Sequence, residues 1–446
     1  MAGPGDRTPT GERLPGIDPE PGDEERIVCH VDMDCFYAAC ERLREPRLRG
    51  EPVVVGMGYE PGDSTGAVAT ASYEAREFGV ESAQAITTAL ERLPRRESSD
   101  DEGDTGGSGD TAFYRPVDLD FYSEVASEVK DILHDCADVV REVSIDEAYL
   151  DVTDRTAWEV ADGLARHIKQ RIEREVGVVA SIGVAPNMSA AKVASDHDKP
   201  DGLVVVRPED LREFLAPLPV EEIHGIGPVT ARTLRDAGIE TAGDLATASR
   251  TELVDRFGER GGELHDRARG VDDREVTPRG LPKSFSRESA FGDPVTDAEP
   301  KREQVRTLAQ AVADRAQREG ALYRTIGIKA VEPPFEVNTR ERSLSGPVED
   351  AELLESTALD LLREFADVPV RKVGVRVSNL VFTEREQASL DAWPGTADTS
   401  PYRPPAARRD DGDDETGDDG TGEETGEDGR RTVGTSPDGQ SSLTDF

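Results

Sequence analysis

Two acidic strings, Val-Asp-Met-Asp-Cys-Phe-Tyr-Ala at 31–38 and Ser-Ile-Asp-Glu-Ala-Tyr-Leu-Asp at 144–151, hold carboxylates at the ends of apolar, strand-like runs. A carboxylate carried by a sheet is costly to desolvate unless a cation compensates it. Shared Asp and Glu oxygens suit hard divalent ions, and a pair of such ions suits in-line attack on a triphosphate. Strand alternation places Asp32 and Asp34 on one face. Asp146 and Glu147 are neighbours, so both reach one site only where the ladder bends at a turn or bulge. The pattern points to metal-assisted phosphoryl transfer.

The elements that must position these groups alternate between strand and helix. Residues 26–31 read as a strand that delivers Asp32, and 36–43 have helical spacing. Short strands at 52–56 and 66–70 precede a helix that opens at Ser72. From Tyr114 a helix carrying Val125, Val129, Ile132 and Leu133 leads to the strand pair around Asp146, a helix through Ile168 and Ile172, and a strand at 178–184. This order predicts a mixed sheet backed by helices, in an α+β chain of several domains. Near 207 the pattern becomes all helical, with a helix over 219–227, a turn at Gly225-Ile226-Gly227 and a second helix over 230–237. From 284 to 382 strands and helices alternate again, most clearly at 325–329 and 372–377. Residues 1–24, 97–111 and 386–446, rich in acid, Gly, Ser, Thr and Pro, read as a disordered arm, a mobile insertion and a disordered tail.

A length of 446 residues is too great for one core and predicts two to four domains. The formal net charge of −40 looks wrong for a nucleic-acid protein, which normally carries a surplus of Lys and Arg. The acid is spread through nearly every segment, and few of the cations are Lys, which reads as a surface adapted to high salt. At molar salt the Debye length falls to ~3 Å, so repulsion from DNA is largely screened. The charge is uneven: 391–446 carries 15 acids against five Arg, whereas 284–385 is near balance and is the likelier DNA-facing segment. Four cysteines without Cys-x-x-Cys spacing suggest a reduced, cytoplasmic setting, and no apolar run suggests a membrane span or a secretory signal.

Four stretches together resemble the Y-family translesion DNA polymerases, on the DNA polymerase IV (DinB-like) branch, and the acidic composition suggests a halophilic archaeon. They are 31–38, Ala-Thr-Ala-Ser-Tyr-Glu-Ala-Arg at 69–76, 144–151, and Ser-Ile-Gly-Val-Ala at 181–185 followed by Lys192 and Lys-Pro-Asp-Gly at 199–202. The resemblance spans roughly 26–385. It implies a right-hand polymerase: palm at 25–35 and 113–206, small fingers at 36–112, a helix-hairpin-helix thumb at 207–273, a linker at 274–284, and an α+β little finger at 285–385. It implies that Asp32, Asp146 and Glu147 are catalytic and hold two Mg2+ ions together with the Met33 carbonyl, and that Asp34 is not a ligand. Phe36, Tyr37, Thr70, Tyr73, Arg76 and Lys199 match positions that receive the incoming deoxynucleoside triphosphate, and Tyr37 matches the steric gate against a ribose 2′-hydroxyl.

Two departures from the family stand out. Residues 80–86 lack the Gly and Pro usual after this helix, and the insertion at 97–111 has no counterpart. Gly225 and Gly227 resemble a helix-hairpin-helix turn whose N–H groups approach a DNA phosphate. Arg324, Lys329, Arg340, Arg342, Arg371, Lys372 and Arg376 of the little finger are candidate contacts to primer-template DNA. The terminal Gln440, Leu443 and Phe446 fit a peptide for a sliding clamp of archaeal and eukaryotic type, lacking its second aromatic. The expected activity is low-fidelity translesion synthesis by a monomer. A nucleotidyl cyclase with a palm-like sheet and a catalytically silent, clamp-recruited scaffold are the alternatives.

Overall fold

The computed structural model describes residues 26–96 and 111–382, so the N-terminal arm, nearly all of the acidic insertion and the tail with the clamp peptide lie outside the described residues. Strand β1 (Val28–Met33) is buried along its whole length, as expected of a central strand covered on both faces. It leads through a tight turn into helix α1 (Phe36–Arg44), which buries Phe36, Ala38 and Cys40. Strands β2 (Val53–Met57) and β3 (Ala67–Ala71), short helices α2 (Tyr73–Arg76) and α3 (Ile86–Arg92), and β4 (Phe113–Pro116) make a small three-stranded layer ordered β3-β2-β4. Helix α4 (Leu119–Cys136), the hairpin β5 (Val139–Glu142) and β6 (Glu147–Asp151), helix α5 (Ala161–Glu175), β7 (Ala180–Ala185), α6 (Met188–His197) and β8 (Leu203–Val205) complete the five-stranded sheet β5-β6-β1-β7-β8. The register sets Asp32 opposite Glu147 on one side and Ser181 on the other.

Two expectations fail here for backbone reasons. The helix expected from Tyr114 starts at Leu119: residues 113–116 are extended and pair in parallel with β2, and Asp118 caps the helix by accepting from the Phe121 N–H at 3.2 Å. The helix expected over 219–227 is a single 3-10 turn, Val220–Glu222, because Pro219 before it and Gly225, Gly227 and Pro228 after it leave too few residues for a helix.

The thumb follows as α7 (Leu211–Leu215), α8 (Pro228–Asp236), α9 (Ala242–Thr247), α10 (Arg250–Phe257) and α11 (Glu259–Ala268). Gly225 has φ +94°, and a Cβ there would lie 2.6 Å from the Arg267 guanidinium, so the turn needs glycine twice over. Arg260 and Arg267 donate to the carbonyls of Gly225 and His224, which pins the turn to α11.

The last domain is the sheet β11-β10-β12-β9 with two helices on one face: β9 (Ser284–Val295), α12 (Ala298–Arg318), β10 (Ala321–Glu332), β11 (Glu336–Val348), α13 (Ala351–Leu362) and β12 (Val370–Phe382). Its core contains a lysine. Lys301 is fully buried, and its ammonium donates to the carbonyls of Thr296, Phe365, Ala366 and Val368 at 2.7 to 3.0 Å. It ties the start of α12 to the chain that leaves α13, and burial pulls its pKa below the usual lysine range.

Lys301→Met removes the donor and leaves the buried Phe365 carbonyl and three part-buried ones unpaired, so urea unfolding of the full chain should show a loss of ~1–3 kcal/mol. Ala83 adopts φ +68° in the segment where the expected Gly is missing. Ala83→Gly should therefore raise stability by ~0.5–1 kcal/mol in the same measurement, since a Cβ disfavours the left-handed region. An unchanged or lower value would show that the neighbouring chain enforces the turn at no cost.

Candidate active site

Strand β1 ends at Met33, and Asp32 is its last inward-facing carboxylate, 9% exposed. The hairpin turn supplies Asp146 and the first residue of β6 supplies Glu147, so the ladder bends between these two neighbours and both address the same place. Met33 N–H donates to the Asp146 carbonyl at 2.9 Å, which fixes the turn against the end of β1. Asp146 is close enough to Asp32 and Glu147 for their charges to raise its pKa. Asp32 and Glu147 therefore stand side by side, and Asp146 lies within reach of their charges.

Helix α6 and the loop after it bring cations to them. Lys192 Nζ lies 2.7 Å from Asp32 Oδ2 and 3.0 Å from Glu147 Oε2, and Lys199 Nζ lies 2.6 Å from Asp32 Oδ1. Burial pushes the Asp32 carboxyl up, but these two ammonium groups outweigh it and hold its pKa below the usual carboxylate range. Glu147 is also opposed by burial, yet the nearby His30 ring and Lys192 draw it down to about 2. Asp146 has no ammonium beside it; burial raises its pKa, and a hydrogen bond from Ser144 Oγ offsets part of the effect. The donor set is hard oxygen, and cationic nitrogen already bridges Asp32 and Glu147, so these residues fit a divalent cation.

The sequence reading did not assign His30 or Ser195, and named Lys192 only as part of a motif. His30 is fully buried, with Nδ1 2.8 Å from Ser195 Oγ and Nε2 3.4 Å from Glu147 Oε2. With Asp32 and Glu147 it forms a group whose ligand atoms lie within 4.8 Å of one another. The legible signals were the i, i+2 spacing of His30 and Asp32 on one strand and the helical spacing of Lys192, Ser195 and Lys199.

Asp34 corrects the strand-face expectation. The strand has ended before it, Cys35 takes φ 46°, and Asp34 turns away from the carboxylate cluster. Its oxygens accept from Tyr73 Oη at 3.1 Å, Ser181 Oγ at 2.9 Å and the Asp201 N–H at 2.8 Å. A carboxylate so engaged has little lone-pair capacity left for a metal. Arg76 is exposed, donates to the Ala71 carbonyl at 3.0 Å and lies over the Tyr73 ring, while Glu74 pairs with Arg42 instead. Phe36 is buried in the palm core, Thr70 sits on β3 opposite Val55, and Tyr37 is half-buried beside α4.

The little-finger cations divide between the two faces of their sheet. Lys329, Lys372 and Arg376 lie on the face without helices, where Glu288 pairs with both lysines at 2.9 and 2.5 Å. Arg340 and Arg342 point to the helix side, paired with Glu364 and Asp360. Arg371 donates to the Pro334 carbonyl, and Arg324 is exposed on β10. Among the described residues no helix is long and apolar enough to cross a membrane, and all four cysteines are free and buried.

Family models match three consecutive parts of the chain: the impB/mucB/samB family over 31–196, the IMS family HHH motif over 208–239, and the impB/mucB/samB family C-terminal domain over 282–391. The DNA polymerase IV of Halobacterium salinarum (strain ATCC 700922 / JCM 11081 / NRC-1) is 63% identical over 387 residues, covering 87% of this chain and 92% of that protein. The DNA polymerase IV of Methanoculleus marisnigri is 41% identical over 82% of this chain and 98% of its own length. A solved Y-family DNA polymerase chimera of Dbh and Dpo4 superposes with TM-score 0.70 at 30% identity, covering 80% of this chain and all of that one. An insertion ternary complex of Dbh DNA polymerase gives TM-score 0.56 at 28% identity, with the same coverage. With its carboxylates gathered at the end of the palm sheet and its thumb and little finger following in order, the chain belongs to the impB/mucB/samB family of Y-family DNA polymerases, on the DNA polymerase IV branch.

Proposed function

We propose that this translesion DNA polymerase adds deoxynucleotides to a primer 3′ end with two divalent ions held by Asp32, Asp146, Glu147 and the Met33 carbonyl. The observation that carries the reading is the pair Asp32 and Glu147 bridged by one lysine ammonium, with Asp146 near enough for their charges to raise its pKa. Two Mg2+ ions bound there would lower the pKa of the primer hydroxyl and neutralise charge on the triphosphate and departing pyrophosphate. The chain's own residues do the rest. Lys199 and Arg76 offer a point charge and a planar fork to phosphate oxygens, with Tyr73 beside them. Phe36, Tyr37 and Thr70 line the sugar and base position, and Tyr37 excludes a 2′-hydroxyl.

The turn at Gly225 and Gly227 grips the DNA backbone through N–H groups without reading sequence. On the little finger, Lys329, Lys372 and Arg376 on the open face and the exposed Arg324 would contact the duplex, whereas Arg340 and Arg342 lie on the helix side and Arg371 donates to the Pro334 carbonyl. The protein works as a cytoplasmic monomer tethered to a sliding clamp through Gln440, Leu443 and Phe446. A tail of about 50 residues spans ~40 Å root-mean-square, so a clamp-bound tip keeps the body at high local concentration.

Primer extension with Mg2+ tests the catalytic reading. Asp146→Ala should lower extension by ~10³-fold or more while DNA binding in a gel-shift assay persists. Cyclic product without template would favour the cyclase, and retained extension would remove Asp146 from the site. Deleting 440–446 should abolish stimulation by the clamp and spare basal extension; equal stimulation of the truncated chain would remove the clamp role.

A further inference from the structure

The ring assigned to sugar selection does not stand alone. Tyr37, in the first turn of α1, stacks against Tyr122 with ring centroids 4.7 Å apart and planes 22° from parallel. Tyr122 lies in the first turn of α4 and is fully buried. Its hydroxyl donates at 2.7 Å to Oε1 of Glu41, a carboxylate 1% exposed in a core otherwise built of Phe36, Ala38 and Cys40. Glu41 stands one helical turn after Tyr37 on the same helix, so the contacts close a ring: Tyr37 side chain, Tyr122 side chain, Glu41 side chain, α1 backbone. Burial and then the Asp146 charge push the Tyr37 hydroxyl up to about 12.

We propose that Tyr122 and Glu41 are positioning residues for sugar selection, backing the Tyr37 ring so that it cannot retreat from a ribose 2′-hydroxyl. A steric filter works only if yielding costs more than the clash. An aromatic side chain on a helix relieves a clash by rotating about χ1 and χ2, and a second ring pressed on its face at 4.7 Å removes that freedom. The Glu41 bond holds the second ring in turn and anchors it to the helix that carries the filter, so movement of α4 relative to α1 does not loosen it. A buried glutamate and a buried tyrosine hydroxyl are otherwise an expensive pair to place in this core, and an apolar pair would pack there without desolvating a carboxylate.

The inference rests on the reading of Tyr37 as the sugar filter, and the variants separate the two. Single-nucleotide insertion of dCTP and CTP opposite a template guanine is measured for Tyr37→Ala, Tyr122→Leu, Glu41→Leu and Glu41→Gln, each checked for folding by thermal unfolding. Tyr122→Leu and Glu41→Leu should lower the dCTP to CTP ratio of kcat/KM by ~10-fold through better CTP insertion, with dCTP insertion kept within about threefold. Glu41→Gln keeps an acceptor for the Tyr122 hydroxyl and should keep the wild-type ratio. A relaxed ratio in Tyr37→Ala together with an unchanged ratio, or an equal fall for both sugars, in the Leu variants would overturn the backing role. An unchanged ratio in Tyr37→Ala would overturn the filter reading itself. Should Tyr122→Leu fail to fold, the Glu41 pair decides alone, because Leu and Gln have similar volume and differ in the acceptor.

Discussion

Asp32 and Glu147 face each other at the end of a buried strand with the Asp146 charge in reach, and their mutual repulsion must be compensated for the palm to hold its shape. Lys192 and Lys199 supply that compensation within the chain, and they can do so only because α6 lies hard against the sheet. Gly183 makes the approach possible: a Cβ there would lie 2.2 Å from both the Ala191 carbonyl oxygen and the Ser195 nitrogen. Gly183 is also the register partner of His30, so the helix descends where the buried imidazole reaches Ser195. One missing methyl group thus sets the position of the two lysines against Asp32 and Glu147.

The second acid of the first string works as a clamp. Asp34 gathers bonds from Tyr73 of the fingers, Ser181 of the palm sheet and the Asp201 N–H of the loop after α6. That loop carries Lys199, so Asp34 places the lysine that neutralises Asp32 while also holding α2, whose end bears Arg76. Adjacent acids on one chain therefore divide the work, one facing the cation site and one building its wall.

A chain of net charge −40 has to bind a polyanion, and the little finger shows how its charge is arranged. Lys329 and Lys372 share Glu288 on the open face, and Arg340 and Arg342 are neutralised by acids of the helix face. Such pairing lowers the field that a basic surface would present at low salt. In concentrated salt that long-range field would be screened within a few ångströms in any case, so short-range hydrogen bonding to phosphate matters more than net charge. The thumb turn fits the same logic, since backbone N–H groups keep their donors whatever the ionic strength.

The fold class and the pairing of Asp32 with Glu147 were legible in the chain itself, because apolar strand runs broken by acid have few structural explanations. Strand and helix patterns also placed the little finger's strands, where apolar residues alternate in the sequence along 325–329 and 372–377. Local reading failed where the backbone departs from regular geometry over a few residues: at Asp34, where the strand stops one residue early, at 113–116, where a short strand precedes the helix, and at 219–227, where prolines and glycines leave a single turn. It was silent on His30, Ser195, Lys301 and the pairing of Tyr37 with Tyr122, since each depends on groups 64 or more residues apart being pressed together. What the sequence determined alone was chemistry, because residue type fixes which atoms can hold a cation. Which carboxylates face one another, which cations neutralise them and which ring packs on Tyr37 were decided only by tertiary packing, because desolvation and close contact exist only once distant segments share a core.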